Sequence, residues 1–201
     1  MRRLIPLLAF VATLQAGVGA QAAVPRVPAG LARQLPKGYA VLAVASLADK
    51  NARHFQIVAI GKTDEDAQRT RSGNSPSRPL LIFEQKNGAF VLAGRNDQVV
   101  MRADEGGQCD PFLDSDATIA VKGAFFTVEN GIACGEHWTD YITFRLDDHA
   151  GFVFDNERRE SWSMNPSNAP DADALVPDGP QRVRRDKPGH LTSFEAWKRA
   201  R

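Results

Sequence analysis

The sequence has almost no charge of one sign to spare: 25 Lys and Arg stand against 24 Asp and Glu in 201 residues. A domain built to neutralise phosphates carries a clear basic excess, so this balance argues against nucleic-acid binding. Sequence signatures of common chemistries are also missing. There is no G-x-S-x-G, no S-x-x-K and no catalytic-cysteine pattern. There is no G-x-x-x-x-G-K-[ST] and no G-x-G-x-x-G, so nothing points to a nucleotide cofactor. The four histidines (His54, His137, His149 and His190) form neither H-x-x-x-H nor H-E-x-x-H, so no helix-borne zinc site is expected. Overall composition is that of an ordinary globular protein, which excludes collagen, coiled coil and wholesale disorder.

Long hydrophobic runs are limited to one. Leu4 to Leu14 is apolar except for Pro6 and Thr13, follows Arg2 and Arg3, and precedes Ala20-Gln21-Ala22. This pattern is a secretory signal peptide cleaved near Ala22. The run is too short for a spanning helix, which needs roughly 20 residues. Removing residues 1–22 takes away two Arg and no acid, leaving 23 Lys and Arg against 24 Asp and Glu. The expected product is a periplasmic or secreted protein with no transmembrane segment after cleavage. Only Cys109 and Cys134 are present, and export puts them where disulfides persist. Two cysteines allow one pairing, Cys109–Cys134, and their spacing matches no zinc or redox signature.

What remains reads as strands. Residues 23–38 form a lead-in with one helical turn, ended by Pro36 and Gly38. Tyr39–Leu47 and His54–Ile60 are apolar runs, and 61–78 is a polar stretch expected to be an exposed loop. Leu80–Gln85 and Ala89–Ala93 flank Lys86-Asn87-Gly88, and Asn-Gly specifies a tight hairpin turn with positive φ at both positions. Gln98–Arg102 is a short strand. A second hairpin joins Thr118–Val121 to Ala124–Val128 through Lys122-Gly123. Trp138, Asp140, Ile142, Phe144 and Leu146 alternate along Trp138–Leu146, and Gly151–Phe154 returns. No run between 39 and 162 shows a helical period.

The expected fold is therefore all-β: an antiparallel meander of hairpins in sandwich- or propeller-like sheets over residues 39–162. A Pro-rich tail follows at 163–190, with Pro166, Pro170, Pro177, Pro180 and Pro188. Residues 191–201 suggest a short terminal helix, with Thr192 and Glu195 as a capping box and Phe194 and Trp197 on one face.

Several stretches together resemble an uncharacterised family of small secreted or periplasmic β-proteins of Gram-negative bacteria. They are RPLLIFEQKNGAFVLAGRNDQVV (78–100), DPF (110–112), VKGAFFTVENG (121–131) and HWTDYITFRLD (137–147). The resemblance spans roughly 36–156 and implies a β fold more than an activity. Many such proteins carry an acidic calcium loop of the FG-GAP type before the first hairpin. Carboxylates at alternate positions suit a hard cation. Here Ser46, Ala48, Lys50 and His54 occupy the positions of the carboxylates, and only Asp49 and Asn51 remain as oxygen donors. The resemblance thus implies a lost calcium site. It also implies a cysteine re-paired from a position beside Gly106-Gly107 to Cys134.

Two groups of candidate site residues follow. Asp104, Glu105, Asp110, Asp114 and Asp116 make an acidic loop around Cys109 that could meet a basic partner or simply be solvated. His137 near Asp140 is the candidate acid–base pair, although on a strand the two would face opposite sides. The basic residues Arg182, Arg184, Arg185, Lys187, Lys198, Arg199 and Arg201 could contact an anionic surface. The aromatics Phe125, Phe126, Trp138, Tyr141, Phe144, Phe152 and Phe154 read as sheet core and not as a stacking platform. The functional expectation is a non-catalytic binding protein with a protein partner in the cell envelope, an inhibitor or immunity-type protein being one concrete form. The alternative is an envelope hydrolase using carboxylates with His137. No cofactor and no metal are expected.

Overall fold

The computed structural model describes residues 25–115, 118–135, 137–167, 169 and 171–200. The signal-peptide reading of residues 1–22 lies outside them.

Two consecutive antiparallel meanders build two sheets. The first has the order β1 (Tyr39–Ala48), β2 (His54–Lys62), β3 (Arg78–Lys86), β4 (Ala89–Val100). The second runs β5 (Ile119–Lys122), β6 (Phe125–Ile132), β7 (His137–Asp147), β8 (Gly151–Met164). Two short strands from the tail, β9 (Leu175–Pro177) and β10 (Arg182–Arg184), add to the free edge of β8. Among the described residues the fold is thus all-β, with antiparallel hairpin sheets and no closed barrel.

Local chemistry explains the hairpins. Lys86 pairs with Ala89 across Asn87 and Gly88, whose φ values of 50° and 79° are those of the primed turn that Asn-Gly favours. The second hairpin is one residue out of the expected frame: Lys122 pairs with Phe125, and the loop is Gly123-Ala124. Gly123 takes the positive φ, as a turn with glycine first requires. At the third, Asp147 accepts the backbone N–H groups of His149 and Ala150, which closes the turn before Gly151.

One apolar layer takes residues from both sheets. Leu47, Ile57, Leu80, Ile82 and Val99 come from the first; Phe126, Val128, Ile142, Phe144 and Phe152 come from the second. Edge-to-face contacts such as Phe55–Phe152, with centroids 5.1 Å apart, tie the layers together. The second face of the first sheet is covered as well. Leu31 of the short helix α1 (Ala29–Ala32), with Val27 and Leu35, packs on Val58, Ile60, Leu81 and Phe83. The lead-in therefore does the work of a third layer on that side.

Three more expectations need correction, beside Gln98–Val100 being the end of β4 and no strand of its own. Residues 61–78 are not all loop: Glu65–Ser72 form the helix α2. It buries no residue, so it has no apolar stripe for a periodicity to show. β8 extends ten residues beyond the expected Phe154 to Met164. Its inward positions past Phe154, such as Glu157 and Arg159, face charge and not the apolar layer, so the alternation that marks a strand stops. The third correction concerns the terminal helix, which is absent from the described residues 191–200. Residues 192–194 pair with β8 instead: Phe154 N–H donates to Thr192 O and Phe194 N–H to Phe152 O, both at 2.8 Å. The Thr192 N–H and hydroxyl both go to Asp186, so no capping box forms. Only one turn follows, at Ser193–Trp197.

The aromatics of that terminal strap do dock, as expected. Phe194 and Trp197 are buried against Phe144 and Phe154. Asn96 of β4 holds the strap from the other sheet, its Nδ2 donating to Phe194 O at 2.6 Å and Trp197 O at 2.9 Å. Gly94 leaves room for it: a Cβ there would lie 3.0 Å from the Phe194 ring. The strap closes one side of the sandwich.

Candidate functional site

The acidic loop is tied down by its own carboxylates. Arg78, at the start of β3, is 1% exposed, which no isolated charge tolerates. Its guanidinium forks onto Asp110 at 2.7 and 2.5 Å and onto Glu65 of α2 at 3.0 and 2.8 Å. Burial alone would raise the Asp110 carboxyl, but Arg78 and the N–H groups of Leu113 and Phe112 outweigh it and hold the pKa below the usual range. Burial likewise opposes the Arg78 charge, and its two carboxylates more than offset that. Asp104 accepts the Ser75 N–H at 2.9 Å. Glu105 accepts the Arg102 N–H, and Asp114 accepts the Asp110 N–H. Asp116 lies outside the described residues. Four of the five acids are thus engaged within the chain. The loop is further pinned by the Cys109–Cys134 disulfide, whose Cα atoms are 6.3 Å apart.

Asp49, in the turn between β1 and β2, is also occupied. Arg53 Nε donates to it at 2.7 Å, and the backbone N–H groups of Arg53 and Asn51 donate to its other oxygen. Burial raises this carboxyl, but these donors lower it more. The carboxylate is thus paired with a guanidinium of the same chain. Among the described residues, no three His, Cys, Asp or Glu are grouped to hold a metal ion.

His137 and Asp140 do not meet. Trp138, Asp140, Ile142 and Phe144 point inward and are buried, whereas His137, Thr139, Tyr141 and Thr143 lie on the opposite face. Asp140 instead anchors an ionic cluster that the sequence reading did not assemble. Arg199, on the strap, donates to its Oδ2 at 2.6 Å and to Val99 O at 2.9 Å. Glu157 pairs with Arg184 of β10, and Arg159 stacks over Trp138 at 4.6 Å. Burial holds the Asp140 carboxyl above its usual range despite the attraction of Arg199 and Arg159. Glu157 is raised by burial and by the Asp140 charge. The Asp140 side chain is only 3% exposed, while the arginines around it reach the surface. Two of the basic residues read as surface, Arg184 and Arg199, are thus half-buried and tied to carboxylates of the second sheet.

One surface is left open. The outer face of the second sheet carries, in cross-strand register, His137 beside Trp162, Thr139 beside Glu160, Tyr141 beside Arg158 and Thr143 beside Asn156. Thr127 and Phe125 of β6 continue it. Arg158 lies over the Tyr141 ring at 4.4 Å, and its guanidinium also pairs with Glu160 at 3.0 Å. The Thr127 and Thr143 hydroxyls share a hydrogen bond of 2.9 Å. Partial burial, with Glu129 and Glu160 nearby, keeps the Tyr141 phenol above its usual pKa. Of the aromatics read as core, Phe125 and Tyr141 belong to this outer face. Trp162, which strand periodicity could not place because the apolar alternation ends at Phe154, belongs to it too. No described segment packs over this face as the lead-in packs over the first sheet.

No family model, no curated protein and no solved structure matches the chain.

Proposed function

We propose that the chain is a non-catalytic binding protein of the bacterial cell envelope, periplasmic or secreted after loss of residues 1–22. It engages its partner through the outer face of the six-stranded sheet. The observation that carries this reading is an asymmetry. The outer face of the first sheet is apolar and covered by Leu31 and its neighbours. The outer face of the second is uncovered and mixes Tyr141, Trp162, His137 and Phe125 with hydroxyl, amide and guanidinium groups. Half-buried aromatics among hydrogen-bonding side chains are the composition of recognition surfaces. The disulfide is compatible with export, and no helix among the described residues is long and apolar enough to cross a membrane. The likeness to small secreted β-proteins points the same way.

An inhibitor or immunity-type protein is one concrete form of this reading. With Asp104, Glu105, Asp110 and Asp114 engaged internally, its contacts would come from the sheet face and not from the loop. The rival, a hydrolase using carboxylates with His137, draws no support from a histidine and an aspartate separated by a sheet.

The test is retention of envelope material by the immobilised, oxidised chain. Arg158→Glu with Tyr141→Ala is expected to abolish retention, while Glu105→Gln with Asp114→Asn leaves it intact. The opposite pattern would move the site to the loop and overturn the reading.

A further inference from the structure

The Pro-rich tail shapes a cleft at the edge of this face. After β9 pairs with Trp162, Ser163 and Met164, the chain bulges through Asp178, Gly179, Pro180 and Gln181 before β10 resumes pairing at Arg159. The bulge borders an open cleft of about 290 Å³ lined by Trp162, Pro177, Pro180, Gly179, Glu160 and Gln181. That is the small end of ligand-binding cavities, the size range of one or two sugar rings. Its walls are held before any ligand arrives. Two prolines fix the rim, and Asp178 N–H donates to Ser161 O at 2.7 Å. Gln181 Nε2 donates to the Glu160 carboxylate, which Arg158 also holds at 3.0 Å.

The lining selects a chemical class. One wall, Trp162 with the two proline rings, is apolar. The other is a carboxylate next to an amide. A carboxylate accepts, and an amide both donates and accepts, so the pair suits adjacent hydroxyls that can do either. The Glu160 charge is already balanced by Arg158, so the lining leaves no free charge for an ionic ligand. An apolar C–H face with hydroxyls around its edge and no net charge is a saccharide ring. We infer that this cleft binds a neutral sugar, with Trp162 under the ring face and Glu160 and Gln181 on its hydroxyls. The inference rests on the outer face being the binding surface and names the ligand class for its edge.

The chain offers its own reporter. Trp138 and Trp197 are 8% and 2% exposed, whereas Trp162 is partly open, so a change in quenchable tryptophan emission reports on Trp162. The protein recovered from the periplasm would be titrated with cellobiose, N,N′-diacetylchitobiose and lactose, and separately with a proline-rich peptide and glucuronic acid. At least one neutral disaccharide is expected to protect Trp162 from acrylamide quenching saturably. Affinity should fall at least tenfold in Glu160→Gln. Trp162→Phe should retain part of it in a calorimetric titration, and Trp162→Ala none. Circular dichroism checks that each variant is folded. Binding by none of the sugars, equal binding by Glu160→Gln, or binding of only the peptide or the acid would overturn the inference. If the sugars fail while Arg158→Glu with Tyr141→Ala still abolishes envelope retention, the saccharide assignment alone is wrong. If that retention is also unaffected, the face itself is wrong.

Discussion

Arg199, on the terminal strap, reaches Asp140 in the middle of β7 at 2.6 Å, and the same guanidinium donates to Val99 O of β4. One side chain thus links the terminal strap to both sheets. Its loss would leave a buried carboxylate without its closest partner, which typically costs 3–5 kcal/mol. Arg159 and Arg184 also lie within electrostatic reach of Asp140, so Arg199→Ala is expected to destabilise by about 3 kcal/mol, the lower end of that range. Arg199→Ala with Asp140→Asn should recover part of this. Urea unfolding of the two variants measures both.

The Arg78 fork makes a more local prediction. Asp110→Ala leaves Arg78 with Glu65 as its only carboxylate partner and unpins the loop. A loss of about 3 kcal/mol is expected for breaking a buried pair of this kind. Hydrogen exchange should quicken first in α2 and residues 103–115, with β2, β3 and β7 protected as before.

Cys109→Ser with Cys134→Ser opens a covalent loop of about 26 residues. The chain-entropy relation gives a loss of roughly 3–4 kcal/mol. Thermal unfolding with and without reductant should show the same difference in the wild type and none in the variant.

Acid should weaken the fold through identifiable groups. The N–H groups of His149 and Ala150, with Arg145, hold Asp147 at about 2, and Asp110 and Asp49 are also lowered. A lowered carboxyl stabilises above its unfolded pKa and loses that contribution as pH falls through the folded one. Asp140 and Glu157, raised by burial, act in the opposite sense: their contribution is full below the unfolded pKa and lost as pH rises through the folded one. Between pH 4 and pH 2 the lowered group should make Tm fall, and Asp147→Asn should flatten that fall. An unchanged slope in the variant would contradict the assignment.

How much of this was legible in the sequence depends on what each residue faces. Asn87-Gly88 announces its hairpin because the turn type is set by two residues. The alternation Trp138, Asp140, Ile142, Phe144 announces β7 because its inner face is buried along its length. The same alternation separates His137 from Asp140. β8 hides its second half because Glu157 and Arg159 face an ionic cluster, and charge on an inner face looks like loop. α2 hides because nothing covers it, although Glu65 and Asp66 in its first turn, Arg69 and Arg71 in its last and Gly73 after it complement the helix dipole and end. The acidic loop misleads in the other direction. Its carboxylates look free until Arg78, 32 residues before Asp110, is placed beside them. Likewise Trp162 gains a site only when Pro177 and Pro180 return along β8, a long-range pairing that no local pattern encodes.

Amide chemical-shift mapping of the isotope-labelled, oxidised protein during titration with solubilised envelope extract is the measurement closest to the central claim. The account predicts shifts confined to the outer positions of β6, β7 and β8, with Tyr141, Arg158 and Trp162 among the largest. Shifts that cluster in residues 103–115 and leave those three unmoved would contradict it.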